Sequence, residues 1–131
     1  HSKRNGAYSF FLGTVRQDID ENIDGIFLEC YEDLAVQQLK KIREHSIKKW
    51  KLNDGVIIHR IGELQISDKI VLVITASPHR SDCIEACEYI IDSLKANVAL
   101  WKFHTKENQR DAVAQKKKDI DKYLSWGEVI S

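Results

Sequence analysis

Apolar and polar positions change period several times along the chain, and each change predicts an element. Ala7 to Val15 (AYSFFLGTV) is a continuous apolar, aromatic-rich run broken by Gly13 and followed by Arg16, the pattern of a buried strand. The acidic segment RQDIDENIDG then predicts a loop, and a second strand is expected around Ile26 to Cys30. From Glu32 to Trp50 the period becomes helical, with Leu34, Ala35, Leu39, Ile42 and Ile47 roughly on one face and lysines and glutamates opposite. Gly55 to Leu64 and Lys69 to Ala76 read as two strands joined by the polar turn Gln65 to Asp68. A second helix follows, in which Cys83, Cys87, Ile90, Ile91 and Leu94 form a core-facing stripe with Lys95 at its edge. Leu100 to Thr105 is a short strand, and Asn108 to Trp126 has helical composition around the triplet Lys116 to Lys118. Strands and helices do not alternate strictly, so the expected class is α+β, in one domain over residues 1–131.

Composition narrows the function classes. The 131 residues carry 20 Lys+Arg against 20 Asp+Glu, so no broad field attracts nucleic acid or an anionic membrane, and any anion site must be local. No apolar run approaches the ~20 residues that span a bilayer. Three cysteines without regular spacing do not form a disulfide framework, which makes a reducing cytoplasm the expected setting. His1 and Ser2 fit a tag remnant.

One such local site is suggested by SPHRSDCIEAC, Ser77 to Cys87. With Ser77 as N-cap and Pro78 as first helical residue, His79 and Arg80 fall in the first turn. Cations there oppose the helix dipole by ~0.3 to 1 kcal/mol each, unless an anion joins them, and a phosphate or carboxylate site would result. The alternative starts the helix at Asp82, with Glu85 completing a capping box, and leaves His79 and Arg80 as solvated loop residues. Lys95 and Lys102, seven residues apart with Trp101 beside the second, bracket the exit from the same helix. A lysine held in a partly apolar cleft can serve as base, nucleophile or oxyanion partner, although a solvated surface position explains each one singly. Cys83 and Cys87 lie on the core stripe and Cys30 ends a strand, so all three read as structural; His45, His59 and His104 show no zinc spacing, and no metal site is expected.

The runs GAYSFFLGTVR, LECYEDLA, HRIGEL, SPHRSDCIEAC and IDSLKANVALWK, in order from Gly6 to Lys102, resemble the large, catalytic subunit of molybdopterin synthase. The resemblance implies an α/β-hammerhead-like mixed sheet with packed helices. It also implies a sulfurtransferase that converts cyclic pyranopterin monophosphate to molybdopterin, in molybdenum cofactor biosynthesis, without a cofactor. Two sulfurs would arrive as the C-terminal Gly-Gly thiocarboxylate of a small ubiquitin-like subunit, on a homodimer within a heterotetramer. Carried over residue by residue, Arg16, His79 and Arg80 match the family's phosphate-binding residues. Lys95 and Lys102 match its two active-site lysines, and Arg110 is the one arginine available for a site in the other subunit. No cysteine is needed, because the sulfur arrives already activated. The chain departs from the family at Ala99, Leu100, Trp101, Lys102, Phe103 and His104, where the family reads Pro-Ile-Trp-Lys-Lys-Glu, and the resemblance implies a strand-helix segment before Gly6 that residues 1–5 do not supply. A non-catalytic relative that binds a phosphate ligand or a ubiquitin-like tail is the alternative.

Overall fold

A computed structural model describes residues 3–18 and 22–127; His1 and Ser2, together with part of the acidic loop, lie outside them. Strands β1 (Ala7–Thr14), β2 (Gly25–Cys30), β3 (Asp54–His59), β4 (Gly62–Gln65), β5 (Lys69–Ser77), β6 (Leu100–Lys106) and β7 (Gln109–Val113) are interspersed with helices α1 (Glu32–Trp50), α2 (Arg80–Asn97) and α3 (Lys117–Leu124). The class is α+β as expected. The strands form two sheets rather than one mixed sheet, ordered β1-β5-β3 and β4-β2-β6-β7, and every pairing among the described residues is antiparallel.

Alternation along β1 fixes which face of the first sheet is covered. Phe11, Val73 and Ile57 point toward the helices and join Ile42, Cys87, Ile90 and Leu94 in the main core. Tyr8, Phe10, Leu12, Val56 and Ile58 point the other way and remain exposed, Phe10 by 67%. Helix α1 buries Ala35, Ile42, Ser46 and Trp50 and stops at Lys51, which takes the left-handed φ of 52°. Leu34, expected on its buried face, is 43% exposed. A second cluster gathers Val15, Ile26, Leu28 and Leu64 on the inner face of the second sheet.

Two expected elements are corrected. The run Gly55 to Leu64 is not one strand: the chain leaves the first sheet after His59 and enters the second at Gly62, whose φ of 88° suits glycine. The span from Asn108 is not helical at first, because Glu107 and Asn108 take φ of 49° and 67° and make a two-residue turn that returns β7 along β6. Only from Lys117 does a helix form. It docks through Tyr123 and Trp126 on Trp50 and Tyr89, with the indole N–H of Trp126 donating to Asp92 at 2.7 Å and that of Trp50 to Glu85 at 3.1 Å. No helix among the described residues is long and apolar enough to cross a membrane.

His59 is half-buried, and its Nδ1 lies 2.7 Å from the carbonyl of Arg60. Burial lowers its pKa below 6.5. Below pH 6.5 the unfolded chain therefore binds more protons at this site than the folded one, so stability falls as pH drops. In urea titrations between about pH 7 and pH 5, His59→Gln is expected to flatten this decline; an unchanged pH slope would count against the assignment.

Candidate functional site

The Ser77–Arg80 segment is held from below. Ser77, Thr75 and Cys83 are fully buried. The Ser77 hydroxyl donates to the carbonyl of His79 at 2.5 Å, the Cys83 thiol to that of Arg80 at 3.3 Å, and the Thr75 hydroxyl to that of Cys83 at 2.6 Å. Ser77 is thus the last residue of β5 and not the helix cap; His79 occupies the cap position in an extended conformation, and Arg80 is the first helical residue. The start lies between the two expected positions, because the serine side chain bonds to a carbonyl instead of an N–H. Pro78, His79 and Arg80 are exposed, and neither His79 nor Arg80 has an ion-pair partner among the described residues. From the other side Gly6 donates its N–H to the carbonyl of Ser77 at 3.0 Å, so close that a Cβ would stand 2.2 Å from the carbonyl oxygen of Pro78.

Arg16 is carried to the opposite end of the same sheet. The β1–β5 register runs from Ala7↔Ser77 to Thr14↔Lys69, seven steps of about 3.3 Å, so roughly 23 Å of sheet separates the two cationic positions. Arg16 pairs with Asp18 at 3.1 Å; both are well exposed, and such a pair holds a guanidinium only weakly.

Helix α2 runs back over β5 and β1. Its start is tied to the sheet where Thr75 meets Cys83, and its end packs with Leu94 and Val98 near Val71 and Phe11. Eighteen residues of helix span about 27 Å, which carries Lys95, exposed in the last turn, toward the Arg16 end. Lys102 lies opposite Leu28 in the β2–β6 pairing, on the sheet face that Val15 covers just before Arg16. The topology therefore puts Arg16 and Lys95 toward one end of the first sheet and His79 and Arg80 at the other, with Lys102 on the second sheet. Arg110 stands elsewhere, its guanidinium 3.8 Å over the Phe27 ring on the outer face of the second sheet.

Beside the link between the two lysines is a cleft of about 300 Å³ between α1, the end of β2 and the β3–β4 connection. Ala35, Val36, Leu39, Ile61, Val98 and Leu100 make it largely apolar, with Cys30, Glu32 and His59 at its polar positions. It is not legible in the sequence because its lining comes from three separate stretches, 30–39, 59–61 and 98–100. The Cys30 thiol is pushed up by burial and then by Glu32 and Glu29, and that of Cys87 by burial; both shifts oppose thiolate formation. Among the described residues, no group of three or more His, Cys, Asp or Glu could hold a metal ion.

Fold and site together define a class: an α+β domain with exposed cationic side chains toward both ends of one sheet and a largely apolar cleft beside the exit from α2. The family model described as MoaE protein matches residues 1–97. A molybdopterin synthase catalytic subunit from Haemophilus ducreyi is 34% identical over 122 residues, covering 92% of this chain and 81% of that one. The crystal structure of molybdopterin synthase from Staphylococcus aureus superposes with a TM-score of 0.80 at 34% identity, over 87% of this chain and 84% of that one. A complex of subunits 1 and 2 of molybdopterin-converting factor from Helicobacter pylori matches with a TM-score of 0.75 at 25% identity, over 87% and 75%. The chain belongs to the MoaE family.

Proposed function

We propose that this chain is the catalytic subunit of a molybdopterin synthase, exchanging oxygen for sulfur on cyclic pyranopterin monophosphate with a small subunit's C-terminal thiocarboxylate as donor. Each transfer leaves a carboxylate on the donor and a carbon–sulfur bond on the pterin, an exchange that needs no oxidant, reductant or bound cofactor. The observation that carries this reading is the set of exposed cations, Arg16, His79, Arg80, Lys95 and Lys102, on the shared frame. Both reactants are anions, and they supply the negative charge that His79 and Arg80 lack at the start of α2. Lys95 and Lys102 serve the thiocarboxylate end as general acid–base or electrostatic groups. The adjoining cleft falls at the small end of ligand-pocket volumes and suits an extended Gly-Gly tail.

The separation of the cations bears on assembly. A single small pterin cannot bridge roughly 23 Å of sheet, so His79 and Arg80 act in a site whose Arg16, Lys95 and Lys102 belong to a second copy. The exposed apolar face of Tyr8, Phe10, Leu12, Val56 and Ile58 runs the length of that sheet and offers the surface for a homodimer. Arg110 can join a site only by leaving its stack on Phe27.

Sulfur transfer in vitro tests the reading. Mixed with cyclic pyranopterin monophosphate, the chain is expected to yield the dithiolene with thiocarboxylated small subunit and none with the carboxylate form. Tight binding of the small subunit without product would instead favour a non-catalytic relative. Within the same assay, Gly6→Ala should displace Pro78 to Arg80, since the new methyl meets backbone and not a movable side chain. The expected result is a KM for the pterin raised about tenfold, or ~1.4 kcal/mol, with small-subunit affinity unchanged; a normal KM would show that the close approach does not govern the site.

A further inference from the structure

The backbone linking Lys95 to Lys102 makes an unusual set of bonds. Helix α2 ends at Asn97, Val98 is extended, and the N–H of Leu100 donates to the carbonyl of Val98 at 2.8 Å, a three-residue turn centred on Ala99. That turn leaves the Ala99 N–H and the last helical carbonyls to find partners elsewhere. Two glutamines from separate elements meet them. The half-buried Gln38 of α1 accepts from the Ala99 N–H through Oε1 at 2.8 Å, and Gln115, between β7 and α3, donates from Nε2 to the Lys95 carbonyl at 2.7 Å.

We propose that Gln38 and Gln115 are positioning residues that fix the spacing of Lys95 and Lys102. The proposal rests on the sulfur-transfer reading and adds to it how the two lysines are held in register. Neither glutamine touches substrate; each acts through the main chain. From Leu100 onward the β2–β6 pairing holds the strand that carries Lys102, and Val98 packs on the main core, so the two glutamines act on the partly buried turn at Ala99 and on the end of α2, between these anchors. A small loss of register at one lysine relative to the other is costly, since misplacement by about 1 Å can lower a rate by about 10²-fold.

The two positions demand opposite chemistry, and this separates positioning from general stability. Gln38 must accept, so Gln38→Glu keeps the bond and Gln38→Leu loses it. Gln115 must donate, so Gln115→Glu and Gln115→Leu both lose it. In sulfur-transfer assays, Gln38→Leu, Gln115→Leu and Gln115→Glu are each expected to lower kcat about tenfold, with KM for the pterin and small-subunit affinity within about twofold of wild type. Gln38→Glu is expected to turn over like wild type, and the melting temperatures of all four should stay close together. Wild-type kcat in Gln38→Leu and Gln115→Leu, or equal losses in Gln38→Glu and Gln38→Leu, would overturn the proposal. An inactive wild type would instead bring down the functional reading on which it rests.

Discussion

Replacing Lys95 by alanine is expected to lower sulfur transfer by about 10² to 10⁴-fold, the range contributed by a positioned general acid or base. Lys95 stands exposed in the last turn of α2, next to the buried Leu94. The carbonyl end of the helix favours an exposed cation there by only about 0.3 to 1 kcal/mol, so its loss costs the fold little. Alanine should therefore leave folding and small-subunit binding intact, and the loss should appear in kcat. Lys95→Arg keeps the charge but replaces a compact amine with a guanidinium that does not release its proton. It is expected to remain near the alanine level. Single-turnover measurements with thiocarboxylated small subunit provide the check, and near-normal rates in Lys95→Ala would remove this residue from the chemistry.

The second large effect is recovery from two inactive variants. Arg16→Ala and Arg80→Ala should each abolish most turnover alone, because every site in either homodimer lacks one arginine. Mixed under conditions that allow the dimers to exchange, half of the assemblies become heterodimers. In each, one site carries both defects and the other carries neither. Activity should then return to about a quarter of wild type. This expectation follows from the β1–β5 register, which places Arg16 and Arg80 at opposite ends of the sheet. Absence of recovery despite demonstrated exchange would mean that one chain assembles the whole site.

Much of this frame is legible in the amino-acid order. Strands β1, β2 and β5 and helix α1 lie within one or two residues of where apolar period predicts them, because each buries one face against a single neighbouring layer. The break between β3 and β4 is not legible, since HRIGEL remains apolar enough to continue a strand and only the two-sheet arrangement requires the chain to cross there. The β6–β7 hairpin is hidden for a related reason: Glu107 and Asn108 take left-handed conformations without a glycine to announce them. The five basic site residues are visible as motifs, yet their division into two groups depends on strand order and helix direction, which spacing along the chain does not encode. Gln38 looks like any solvated helix residue, because its significance lies in an N–H 61 positions away.

The aromatic dock of α3 has an optical consequence. Trp50, buried, and Trp126, half-buried, meet edge to face at 6.0 Å and share Tyr89, whereas Trp101 is 47% exposed and packs on Tyr31 at the second sheet. Intrinsic emission therefore comes from two separated environments. Its blue component reports whether the C-terminal helix is seated, and its red component reports what approaches the strand that carries Lys102.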